Sequence, residues 1–233
     1  MIGWLRPLAL VLALSALAML ALSGPGVRFG IWSYRFGLLT VFAWSAYVAI
    51  AAALIAALAL AIPSARARGA LMPMLALVVG LAVPYVPLQF RSQARAVPPI
   101  NDITTDTENP PRYMTQQRAY PGVEFARQQR AAYPDIGPLL LALPPAAAFK
   151  KVLAAAEAMG WEVVGADAAA GTLEAVDTTK FFGFKDDIAI RVTPTADGSP
   201  NHSRVDIRSK SRVGRSDIGT NARRIRAYAE RLK

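Results

Sequence analysis

Gly37 to Ile62 is a run of 26 residues without one charged side chain, and it constrains the fold more than any other stretch. A helix of that length crosses a hydrocarbon core of about 30 Å with some tilt. Two further uncharged runs flank it, Pro7 to Leu22 behind Arg6 and Ala70 to Phe90. The first is either a short transmembrane helix or the apolar core of a signal peptide, since Ala21-Leu22-Ser23 offers small residues at cleavage spacing. We carry forward the retained helix. In the third run Gly80, Pro84 and Pro87 are placed to kink or end the helix, and Tyr85 and Phe90 suit a membrane interface. The expectation is a membrane block over residues 1–90, with spans at about 7–23, 37–62 and 70–90.

Charge divides the chain at the same place. Residues 1–90 hold no Asp or Glu; all 16 acidic residues lie in 91–233, with 21 of the 26 Lys and Arg, so the remainder carries a net +5. The loop between the second and third runs holds Arg66 and Arg68, while Gly24 to Phe36 holds Arg28 and Arg35 among four aromatic residues. The positive-inside rule puts the N-terminus and the 64–69 loop in the cytoplasm, so three crossings deliver residue 91 outside. A cleaved signal peptide delivers it to the same side. A domain exported in this way meets no nucleic acid, despite the basic balance.

Residues 91–143 read as an extended, Pro-rich arm able to wrap a surface. Within it Asn101-Asp102-Ile103-Thr104-Thr105-Asp106 is crowded with oxygen side chains, a composition that suits calcium or, more plainly, Asx and Thr turns. The turns are preferred because the Gly and distal Glu of a calcium loop are missing. Residues 144–233 read as an α+β domain. Pro144-Pro145 open a helix whose stripe is Phe149, Val152, Leu153, Ala156 and Met159, ended by Gly160. Strands follow at Trp161 to Val164, Thr172 to Asp177, Asp187 to Thr193 and Ser203 to Ser209, with Asp197-Gly198 in the last hairpin loop. Ser216 is placed to cap a final helix with the stripe Ile218, Ala222, Ile225, Ala229 and Leu232. Consecutive strands between two helices predict an antiparallel sheet covered by helices on one face.

Alternation along the strands sends Arg191, Arg204, Asp206 and Arg208 to the opposite face. With Arg212, and with Asn221 and Arg224 on one side of the last helix, Arg191 and Arg208 form the candidate anion site, competing with a reading as structural ion pairs. Asp186 and Asp187 are adjacent on a strand and diverge, so they are expected to pair with arginines such as Arg208 or Arg212 rather than share a proton. Phe181-Phe182-Gly183-Phe184-Lys185 is expected to fill a core at a hairpin tip, with a greasy finger toward membrane or ligand as the alternative. No metal or cofactor is expected: the chain has no Cys and one His, His202, placed in a loop. Gly214-Arg215-Ser216-Asp217-Ile218 lacks the closing Gly of a nucleophile elbow, and a Ser and Lys pairing through Ser209, Lys210 and Ser211 exists on paper only.

Phe182-Gly183-Phe184-Lys185-Asp186-Asp187, Ile190-Arg191-Val192 and the long phrase from Val205 to Ile225 resemble the domain of unknown function family numbered 1499. So does the arm's Asn101 to Asp106 with Asn109-Pro110-Pro111. The resemblance covers roughly residues 98–233 and leaves the membrane block outside. It implies a bacterial envelope or plastid-type setting and supplies no activity, cofactor or catalytic residue; the Ala- and Arg-rich composition fits a bacterium. The resulting expectation is a non-catalytic module in the bacterial inner membrane, its C-terminal domain facing the periplasm. It binds an anionic lipid, a glycan or an envelope protein; an envelope hydrolase or transferase is the alternative.

Overall fold

The computed structural model describes residues 2–233. Two compact units emerge, one reaching to Gln93 and including Lys180–Gly183, the other comprising Ala94–Thr179 and Phe184–Lys233. Neither Phe181 nor Phe182 joins the core of the second unit, against the expectation for the phenylalanine-rich tip.

The first unit contains three helices long and apolar enough to cross a membrane: α1 (Leu5–Arg28), α2 (Phe36–Ala61) and the run Leu71–Ala96. The third run divides at Pro84 into α4 (Leu71–Ala82) and α5 (Tyr85–Ala96), and a single turn, α3 (Pro63–Arg66), links α2 to it. Small residues form the seam. Ala9, Ala13, Ala52, Ala56 and Ala76 are fully buried, whereas Val11, Leu14, Leu54, Leu58, Val78 and Leu81 face outward. A bundle buried in lipid gains nothing by hiding leucine from water, so close backbone approach through small residues holds it instead. At Gly80 the approach is closest, since a Cβ there would sit 2.7 Å from the Ala49 carbonyl oxygen. The Gly69 position lies beside the Arg6 guanidinium, so the start of α1 and the basic loop occupy one end of the bundle.

The second unit is an α+β fold around a six-stranded antiparallel sheet. Four strands match the expected hairpins: β3 (Glu162–Asp167), β4 (Thr172–Thr178), β5 (Lys185–Pro194) and β6 (Ser203–Ser211). Two more, β1 (Asp102–Thr104) and β2 (Leu139–Leu141), come from the arm and pair in succession along the outer edge of β6. The sheet order is β1-β6-β5-β4-β3. The arm also supplies a helix, α6 (Val123–Ala132). Its buried Gln129 accepts from the Thr104 amide at 3.0 Å and donates to the Thr104 carbonyl at 2.6 Å. A side-chain amide thus occupies the free edge of β1 as another strand would, closing backbone groups that would otherwise be open to pairing.

Helices α7 (Pro145–Ala158) and α8 (Thr220–Leu232) pack on one face. Phe149, Val152 and Ala156 from α7 and Ala222, Ile225, Tyr228 and Leu232 from α8 bury against Leu173, Ala175, Ile188, Ile190, Val205 and Ile207. Trp161 stacks on Tyr228 with ring centroids 4.9 Å apart. Gly160, at φ 75°, ends α7 in the left-handed region where glycine is unstrained. Helix α8 starts four residues later than its expected cap. The Ser216 hydroxyl accepts from the Ile218 amide instead, and the Asp217 carboxylate takes the amides of Gly219 and Asn221 at 2.8 and 2.7 Å. A carboxylate already satisfies this helix start, and its burial pushes the Asp217 pKa up while those amides pull it back.

Candidate ligand-binding cleft

The other face of the sheet is covered by the arm. Asp187, Arg191, Asp206, Arg208 and Lys210 project there, as alternation requires. Asp102 is fully buried and takes a bidentate pair from Arg208, at 2.9 and 2.8 Å, and a third contact from Lys210 at 3.0 Å. The remaining Arg208 donors reach the carbonyls of Pro111, Arg118 and Ala119. All five of its N–H groups are engaged, and three bind arm backbone. Its carbon Cζ also lies 5.0 Å from the ring centre of Tyr113 and 5.5 Å from that of Tyr120. Burial works against the Arg208 charge, yet Asp102 more than offsets it and raises the guanidinium above its usual value. Arg208 fastens the arm to the sheet.

Two other clusters extend this face. Arg191 and Arg204 bridge Asp206 and Asp106 in a four-membered array with contacts of 2.8 to 3.1 Å. The Asp106 carboxylate also receives the amides of Glu108 and Asn109, an Asx turn of the expected type. The carboxylates of the Asn101 to Asp106 segment are therefore committed to basic side chains and backbone. Asp187 takes Nε and Nη2 of Arg212 at 2.9 and 2.7 Å. Arg118 Nη1 stands 3.1 Å from its second oxygen, near enough for charge attraction without hydrogen-bond alignment. Buried Glu174 receives the amides of Met114 and Thr115 and the Thr115 hydroxyl.

The sheet separates the five residues of the candidate anion site. Arg191, Arg208 and Arg212 lie on the arm side. Asn221 and Arg224 lie on the helix side, where Arg224 reaches Asp177 and Asp186 at 2.7 and 2.6 Å. It also donates to the Ser209 hydroxyl and the Asn221 amide oxygen. Asp186 and Asp187 do diverge, to Arg224 and Arg212 respectively, so Arg212 is the expected partner and Arg224 replaces Arg208. No cluster of three or more His, Cys, Asp or Glu placed to hold a metal occurs among the described residues.

Between arm and sheet lies a cleft of about 570 Å³. Arg208 and Tyr113 lie deep in it, and Glu108, Asn109, Arg112, Gln117, Arg118 and Tyr120 line it nearer solvent. Tyr113 donates its hydroxyl to the Asp187 carbonyl at 3.2 Å, and burial, with the nearby Asp102 charge, pushes its pKa far up. The Tyr120 hydroxyl is buried without a partner among the described residues. Burial and then Asp102 push that phenol up to about 12. Arg112 makes no ion pair among the described residues, and Arg118 Nη2 makes no hydrogen bond there. Sequence reasoning passed over residues 108–120 because an aperiodic, Pro-flanked segment carries no signal that it will roof a sheet.

No curated protein matches the chain. The family model described as a protein of unknown function, DUF1499, matches residues 102–232, from Asp102 at the Arg208 clamp to the last residue of α8. The chain belongs to the DUF1499 family.

Proposed function

We propose that this chain is a membrane-anchored, non-catalytic module of the bacterial envelope that binds an anionic ligand through the arm side of its sheet. The cleft carries this reading. Its deep arginine is spent on the fold, whereas Arg112 and the outer nitrogen of Arg118 retain unused N–H donors at the mouth. Water already solvates exposed cations, so a gain in affinity needs the partial enclosure that the arm provides. A lipid headgroup, an acidic glycan or an acidic segment of an envelope protein each supplies such an anion.

The bundle supports an inner-membrane setting with the domain in the periplasm. Arg6 and Arg68 lie near one end of it; on the positive-inside rule that end is cytoplasmic, and three crossings then export the following domain. The matched pairs on the arm side favour binding over catalysis, because each buried carboxylate there is held by basic side chains or amides rather than left for proton transfer.

Two measurements test this reading. A periplasm-dependent reporter enzyme fused after Lys233 is expected to be active, and a reporter working only in the cytoplasm contradicts the orientation. With the full chain in nanodiscs, anionic probes are expected to bind saturably, with Arg112→Ala weakening binding about tenfold or more. Arg231→Ala, on the far end of α8, is expected to change little. Equal small losses for both, vanishing together at moderate salt, reduce the effect to diffuse charge. Turnover of the bound probe favours the hydrolase or transferase reading.

A further inference from the structure

The polar groups lining the cleft are of mixed kind. Glu108 accepts, Arg112 donates, Asn109 and Gln117 do both, and their side chains make no hydrogen bond with any described residue. Elsewhere on this face each aspartate is paired with cations. The Tyr120 hydroxyl adds a buried, unpartnered group, and a buried hydroxyl without a partner costs free energy that a ligand can recover.

This mixture discriminates among anions. Phosphate presents acceptors almost exclusively, so it would use Arg112 and Tyr120 but be repelled by Glu108. An acyl chain would satisfy none of these groups. Sugar hydroxyls donate and accept at once, and planar carboxylate and amide groups can meet neighbouring hydroxyls in pairs. The tyrosine rings supply an apolar wall with a polar edge, which suits a ring that has C–H faces and a hydroxylated rim. The charge of Arg112 then calls for a carboxylate on that sugar. A volume of about 570 Å³ falls within the roughly 300 to 1,000 Å³ usual for small-molecule sites.

We infer that the cleft takes a saccharide bearing a carboxylate, with hydroxyls on Glu108, Asn109, Gln117 and Tyr120 and the carboxylate at Arg112. This rests on reading the domain as a ligand-binding module. The test is calorimetric titration of the full chain in detergent with three probes: a disaccharide containing glucuronic acid, its neutral counterpart and inorganic phosphate. A glycan array of uronic-acid and neutral oligosaccharides widens the search.

Saturable binding of uronic-acid glycans is expected. Arg112→Ala and Tyr120→Phe should each weaken it about tenfold or more with melting temperatures unchanged, and Arg112→Ala should narrow the preference for acidic over neutral sugar. Binding of phosphate but of no saccharide, lost in Arg112→Ala, overturns the saccharide assignment and leaves the anion-binding reading standing. Saccharide binding indifferent to both substitutions overturns the cleft as its place. Binding of neither saccharide nor phosphate, nor of vesicles containing phosphatidylglycerol, nor of a polyglutamate peptide, overturns both readings.

Discussion

On the helix side of the sheet, one buried cation, Arg224, answers Asp177 and Asp186 with Ser209 and Asn221 beside it, against a largely apolar core. On the arm side, six cations, Arg118, Arg191, Arg204, Arg208, Lys210 and Arg212, meet four carboxylates, those of Asp102, Asp106, Asp187 and Asp206. The first side is closed by two amphipathic helices whose burial of hydrocarbon supplies the stabilisation. The second is closed by a segment too polar to be held that way, so charge-assisted hydrogen bonds to its backbone replace apolar contact. The difference assigns separate work to the two faces. Apolar packing fixes the helix side, and ion pairs with charge-assisted hydrogen bonds fix the arm side.

Removing the clamp should break this division most severely. Arg208→Ala leaves Asp102 buried with only Lys210 beside it and frees three arm carbonyls. Loss of one partner of a buried pair costs about 3 to 5 kcal/mol, to be read as a fall in the thermal transition of the full chain. The signal is Trp161, the one tryptophan outside the first 90 residues. A Lys210 rearrangement that restored the pair would keep the loss near 1 kcal/mol and disprove the clamp.

The adjacent aspartates sharpen the comparison, since one substitution on each side is nearly isosteric. Asp186→Asn weakens the Arg224 network in the core, and Asp187→Asn weakens the Arg118 and Arg212 pairs at a wetter face. Each is expected to cost about 1 to 3 kcal/mol in the same melt, with Asp186→Asn the larger because Arg224 is then left with partly exposed Asp177. Equal costs would mean that the two faces desolvate charge alike. Arg112→Ala should have the smallest effect on stability, within about 0.5 kcal/mol, because Arg112 is exposed and unpaired.

Much of the sheet was legible because β6 alternates apolar and polar residues, because Ile188, Ile190 and Val192 recur at every second position of β5, and because Phe149, Val152 and Ala156 mark the covering face of α7. The opposed directions of Asp186 and Asp187 followed from the same period of two. What escaped was non-local. Strands β1 and β2 are three residues each, too short for periodicity, and form because β6 offers a free edge. Gln129 looks like any polar helix residue until Thr104 lies beside it. The start of α8 escaped because Asp217, one residue after the expected Ser216, reaches the amides better. The proposed anion site joined Arg208 to Arg224 although strand alternation already sets Arg208 on the face away from the covering helices; Arg224 belongs to α8 and pairs with Asp177 and Asp186 on the other side.

The central claim is that the Pro-rich arm is a folded layer, fastened through Arg208, and that this layer makes the cleft. Hydrogen–deuterium exchange on the full chain in detergent tests it most directly. The Thr105 amide bonds to the Ile207 carbonyl, and those of Met114 and Thr115 bond to Glu174. All three should exchange slowly in the wild type, approaching the protection of β5 and β6. In Arg208→Ala, protection should fall selectively across residues 102–120 while α7 and α8 stay protected. Wild-type amides at 105, 114 and 115 that exchange as fast as an unstructured chain would contradict the account, because the arm would then be a tether and the cleft would have no roof.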